Sequence, residues 1–108
     1  MSAKRSKMSN GVASGKVLMA HAVGLHARPS VKLTKLAKGF AAHVELAKSP
    51  DGPWIDAKSI VKVMATKAPK GSILFLRAEG EDAQDAIDAL VSLIKRDFDE
   101  GAEHAHSA

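Results

Sequence analysis

VGLHARPSVKLTKLAKG, residues Val23 to Gly39, moves from a short Gly-Leu-His segment into a helical pattern. Pro29 suits the opening turn of a helix, where the N–H it lacks would have had no partner. Val31, Leu33 and Leu36 supply apolar positions over the following turns, and Gly39 is a stop signal. The spacing predicts a helix over Ala27 to Lys38, with His26 immediately before its first turn.

On the N-terminal side, Lys16 to Ala22 reads as a strand with Val17 and Met19 on one face. On the C-terminal side, His43 to Lys48 alternates with Val44 and Leu46 inward. SPDGP at residues 49 to 53 is turn chemistry and Trp54 to Asp56 restarts an extended segment, so a hairpin is expected. A short helix follows from about Ser59 to Met64, ending before Pro69 and Gly71. Ser72 to Glu79 is a further strand. Asp82 to Phe98 is a helix whose Ala83, Ile87, Leu90, Val91, Ile94 and Phe98 follow a 3.6-residue period.

The order β-α-β-β-α-β-α implies an α+β fold. A four-stranded, mainly antiparallel sheet would carry three helices on one face, because each helix must bury its apolar stripe. The other sheet face would stay wet, with Leu18 and Phe75 on it.

The chain has 108 residues, enough for one core and not for two. Residues 1–15 are rich in Ser, Gly and Lys without an apolar period and are expected to be a disordered basic tail. Residues 16–98 form the domain, and residues 99–108 form a second tail. His104 and His106 in that second tail have no third ligand beside them, so no metal site is expected. There are no cysteines, which excludes disulfides and thiolate metal sites and suits a reducing cytosol. No 18-residue apolar run could cross a bilayer, and VLMAHAV is interrupted by His21 with no cleavage site after it, which argues against a signal peptide. Cytoplasmic localisation is expected.

The net charge of +4 hides an asymmetry. Residues 1–80 carry fourteen Lys and Arg against four Asp and Glu, whereas residues 81–108 carry two against eight. A basic body suits an acidic or phosphorylated partner or a nucleic acid, and charge alone does not choose among them.

His26 carries the most chemistry. The N–H groups of a helix's first turn have no intrahelical partners and point back toward the residue before it, which makes that end an anion site. Arg28 could add a planar fork for phosphate oxygens. A neutral imidazole beside such a cradle can accept a phosphoryl group on a ring nitrogen and release it again. No carboxylate or metal is supplied for hydrolysis and no Gly-rich phosphate loop for ATP, so the donor must be another protein or a small phosphate ester. Spacing alone leaves open a histidine that merely precedes a helix. Ser59 likewise reads as an N-cap or as a phosphorylation site, where a phosphate would reverse the sign of a basic surface.

VGLHARPSVKLTKLAKGF, DAKSIVKVMATKAPKG and AEGEDAQDAIDALVSLI together resemble HPr, the histidine-containing phosphocarrier family of the bacterial phosphoenolpyruvate-dependent phosphotransferase system. The resemblance runs from about Lys16 to Lys95. It implies an HPr-like open-faced β-sandwich in which His26 is phosphorylated through Nδ1 and Arg28 stabilises the phosphoryl group. It implies enzyme I as donor, IIA-type domains as acceptors, and an HPr kinase acting on Ser59. It further implies a docking face made of Ala27, Val31, Lys35, Lys38, Ile60, Val61, Lys62 and Met64, with no cofactor. Such a protein is a component of a transferase system and not an independent enzyme, and a monomer is expected because one face must meet successive partners.

Two alternatives remain at this level. A nucleic-acid-binding module would use the basic body, but no aromatic pair on a strand offers a stacking platform. A family branch serving nitrogen or carbon regulation would use the same chemistry with other partners.

Overall fold

The computed structural model describes residues 11–20 and 24–99. Strand β1 spans Val12–Leu18, helix α1 Ala27–Lys38, β2 His43–Ala47, β3 Ile55–Asp56, α2 Ile60–Thr66, β4 Ile73–Glu79 and α3 Ala83–Lys95. The sheet order is β1-β4-β2-β3 and every neighbouring pair is antiparallel. The architecture is the expected one, an open sheet with three helices.

The period-two pattern decides which side of the sheet is covered. Ala13 and Val17 of β1, Val44 and Leu46 of β2, and Leu74, Leu76 and Ala78 of β4 are buried. Above them lie Leu33 and Ala37 of α1, Val63 of α2, and Ile87, Leu90 and Ile94 of α3. Burial of each large aliphatic side chain in this layer contributes about 1.5–3 kcal/mol.

Strand β1 starts four residues before the expected Lys16, which moves residues 12–15 out of the supposed tail. The whole strand is paired, from Val12 opposite Glu79 to Leu18 opposite Ile73. Its Ser and Gly content disguised it, yet the small residues have a packing reason. A Cβ on Gly15 would lie 3.0 Å from Ile87 Cγ2 and 3.4 Å from Val91 Cγ2, so the bare backbone lets α3 approach. Residues 1–10, the end of the expected strand at His21 and Ala22, and residues 100–108 with His104 and His106 lie outside the described residues.

Helix α1 has the expected limits, but Val31 does not pack inward: it is 51% exposed. Leu33 faces the core and Leu36 packs against it. Helix α2 extends to Thr66, two residues past the expected end, and stops where Lys67 takes a left-handed backbone (φ 52°). Helix α3 ends at Lys95, short of Phe98. The chain kinks there, with Asp97 and Phe98 both left-handed (φ 58° and 56°). Phe98 is still fully buried, placed by the kink and not by the helical period. Its carbonyl accepts a hydrogen bond from Lys32 Nζ at 2.8 Å, which fastens the end of the fold to α1.

The open sheet face carries Leu18, 52% exposed, and a half-buried Phe75 that pairs with Lys16 on one side and Ala47 on the other. Beside them Arg77 stacks 4.0 Å over the Trp54 ring and donates from Nε to Glu45 Oε1 at 2.7 Å. The Arg77 hydrogen bond holds the Glu45 carboxyl below its ordinary range against the opposing effect of burial, with His43 assisting.

Candidate functional site

The geometry around His26 begins with Gly24. Its φ of +73° is a conformation L side chains rarely adopt, and a Cβ there would lie 2.5 Å from the Ala68 carbonyl oxygen. That close approach lets Leu25 N donate to Ala68 O at 2.8 Å, while the buried Leu25 side chain anchors the turn in the core. The segment before α1 is thereby tied to the exit of α2. The structural role of Gly24 is to admit the Ala68 carbonyl.

His26 follows in extended conformation (φ −89°, ψ −167°) at the N-cap position of α1, and its side chain makes no capping hydrogen bond. Its amide donates to Gly24 O at 2.9 Å, and its carbonyl accepts the first helical bond from Ser30 N, also at 2.9 Å. The imidazole is thus exposed at the end of a helix whose opening turn contains Pro29 and no acidic residue. The positive end of the helix dipole and the first-turn donors favour an anion at this place. Arg28, two residues on, is exposed on the same turn. Pro29 and Ser30 are buried beneath it, with Ser30 Oγ donating to Leu25 O at 3.4 Å.

Ala27, Val31, Lys35 and Lys38 recur at helical spacing and all are exposed, so they form one outward stripe on α1. On α2, Val61 is 74% exposed, Met64 is 40% exposed and Lys62 is exposed, whereas Ile60 is half-buried. The two helices pack against each other, so the stripe and α2 border one another. Neither helix contains an acidic residue. Ser59 is half-buried at the start of α2, where its Oγ accepts from Lys62 N at 3.3 Å.

Sequence reasoning missed Ala68, whose carbonyl fixes the turn before His26; its only signal is its place just before Pro69. It also missed the exposed Lys67 and Lys70, which extend the basic border beyond α2. Among the described residues no group of three or more His, Asp or Glu is arranged to hold a metal ion, and no helix is long and apolar enough to cross a membrane.

The family model described as the PTS HPr component phosphorylation site matches residues 13–96. The chain is 47% identical over 79 residues to the phosphocarrier protein HPr of Cupriavidus necator, covering 73% of this chain and 86% of that protein. It is 33% identical over 78 residues to the phosphocarrier protein NPr of Escherichia coli K12, covering 72% and 86% respectively. The crystal structure of HPr from Thermoanaerobacter tengcongensis matches with a TM-score of 0.73 and 32% identity, over 80% of this chain and 94% of that one. The fold, the helix-end histidine and this similarity along most of the sequence converge: the chain belongs to the HPr family of phosphocarrier proteins of the phosphotransferase system.

Proposed function

We propose that the chain receives a phosphoryl group from phosphorylated enzyme I on Nδ1 of His26 and passes it to IIA-type domains. The observation that carries this reading is the exposed, uncapped imidazole of His26 at the N-terminal end of α1. A ring nitrogen lone pair attacks phosphorus, and the bond to the donor atom breaks with its electron pair returning to the donor. The first-turn N–H groups and Arg28 meet the phosphoryl oxygens, which keeps the group transferable without any cofactor. In the second transfer the acceptor's nucleophile takes the phosphorus and the P–N electron pair returns to His26.

The α1 stripe of Ala27, Val31, Lys35 and Lys38 and the α2 residues Ile60, Val61, Lys62 and Met64 form the docking face, apolar at its centre and basic at its border. Such a face suits an acidic partner held briefly, since rim charges mainly set encounter rate and specificity. Ser59 is the site of an HPr kinase. A phosphate there would place about −1.5 to −2 charge on this face and weaken exchange with enzyme I. The protein acts as a monomer in the cytoplasm.

The similarity to an NPr as well as to HPr proteins favours a second reading, a branch serving nitrogen or carbon regulation with the same His26 chemistry. Labelled phosphoryl transfer from enzyme I to the chain and on to purified IIA domains separates the two, because sugar-type and regulatory-type IIA domains would discharge it at different rates. A chain that enzyme I never labels would refute both. Nucleic-acid binding is the outsider, and absence of RNA or DNA binding at low salt removes it.

A further inference from the structure

We infer that the edge of the sheet between β1 and α3 takes an extended, acidic segment of a partner protein as an added strand. The site lies apart from the docking face, which α1 and α2 build, and does not depend on it.

The two edges of the sheet differ. β3 closes one edge with two residues, whereas β1 closes the other with seven. A long edge strand presents a row of N–H and C=O groups to any chain able to pair with it, and a very short one does not. The direction of these groups follows from the ladder to β4. Met19 N donates to Ser72 O at 2.8 Å and Gly80 N donates to Gly11 O at 2.7 Å, so the residues flanking β1 at both ends bond toward the β4 side. Alternation along the strand then aims the N–H and C=O groups of Val12, Ser14, Lys16 and Leu18 outward. None of these groups has a partner among the described residues.

The side chains beside this edge suit such a strand. On the helix side, Gly15 lets α3 close on β1, and a trough of about 420 Å³ lies between them, lined in part by Ile87 and Val91. On the open side, Val12 and Leu18 are more than half exposed. A strand added here sends alternate side chains into the trough and over Val12 or Leu18, which removes apolar surface from water on both sides. Charge selects the occupant. Lys16 and Lys95 are exposed and both line the trough, while Asp88, the acid that lines it, already accepts from Gln84 Nε2 at 2.9 Å. Acidic residues in the added strand complement the two lysines. A second copy of this chain does not: antiparallel two-fold pairing of β1 about Gly15 sets the two Lys16 residues about 8 Å apart on one face.

The probe is the blocked peptide Thr-Val-Glu-Val-Glu-Val-Thr, added to the unphosphorylated, 15N-labelled full chain. The expected result is saturable shifts of the amides of β1, Ile87 and Val91. Hydrogen exchange should slow at Ser14, Lys16 and Leu18, whose N–H groups face the added strand. The same peptide with Lys in place of Glu should bind about tenfold more weakly at low salt. Lys16→Gln combined with Lys95→Gln should weaken binding of the acidic peptide about three- to tenfold. Ser14→Pro removes one outward N–H and leaves the ladder to β4 whole, so it should keep the fold and abolish the slowed exchange. No shifts at millimolar peptide, shifts centred on α1 and α2, or equal binding of the acidic and basic peptides overturns the inference. So does slowed exchange that rises with protein concentration in the absence of peptide, since the occupant is then a second copy. The NMR readout needs no phosphorylation, so it stands or falls separately from the carrier function.

Discussion

The amide of Leu25 donates to the carbonyl of Ala68 at 2.8 Å, joining the residue before His26 to the first residue beyond the cap of α2. The bond exists because Gly24 lets the two backbones meet. The position of the imidazole and the position of α2 are consequently set by one joint.

Gly24→Ala should break that joint. A side chain at φ +73° costs about 1–2 kcal/mol in backbone energy alone, before the clash with Ala68 O is counted. Thermal unfolding should fall by about 10 °C, and phosphorylation of whatever folds should slow. An unchanged melting temperature would show that the turn is not constrained as described.

Ser59 offers a test that separates capping from charge. Ser59→Ala removes the acceptor for Lys62 N and should cost about 1 kcal/mol. Ser59→Asp retains a good N-cap, so its stability should stay near that of the unsubstituted chain. Its negative charge on the docking face should slow transfer from enzyme I by on the order of tenfold. Equal transfer rates for Ser59→Asp and wild type would remove Ser59 from the regulatory account.

Val31 and Val61 should matter to partners and not to the fold. Both are more than half exposed, so Val31→Glu and Val61→Glu should change stability by no more than about 0.5 kcal/mol. Each should weaken enzyme I binding by about tenfold if it sits at the centre of the docking face. Titration calorimetry and thermal unfolding of the same samples decide the matter.

Asp82 predicts an acid-sensitive corner. Its Oδ2 accepts from Ala41 N and its Oδ1 from Ala42 N, both at 2.8 Å, tying the α1–β2 connection to the start of α3. The hydrogen bond from Ala41 is the foremost cause that holds its carboxyl below the usual value, helped by Ala42. A group whose pKa is lowered on folding adds stability above its unfolded pKa and loses it as pH falls through the folded value. Stability should thus decline below about pH 4. Asp82→Asn should show a lower melting temperature at neutral pH and a smaller decline in acid.

Much of this was legible in the sequence because local signals agreed. Pro29 and Gly39 bracket α1, Ser59 caps α2, and alternation marks β2. The misses share a cause, which is that tertiary approach overrides local pattern. The start of β1 looked like a tail because Ala13 and Gly15 are small, yet small residues are what α3 requires above that strand. Val31 looked like core by type, but its place on the wheel opposite the buried Leu33 and Ala37 turns it outward. Phe98 fits the helical period, but a kink at Asp97 places it. The candidate site was legible in its histidine and basic residues, whereas the Ala68 carbonyl that fixes its entry turn could be recognised only once the chain was folded.

Peptide-level mass spectrometry after incubation with phosphoenolpyruvate and a competent enzyme I tests the central claim most directly. The predicted result is a gain of about 80 Da, one phosphoryl group, on the peptide containing His26. It should be lost on acidification and absent from His26→Ala. Phosphate carried on a different residue, or a wild-type chain that gains no mass, would contradict it.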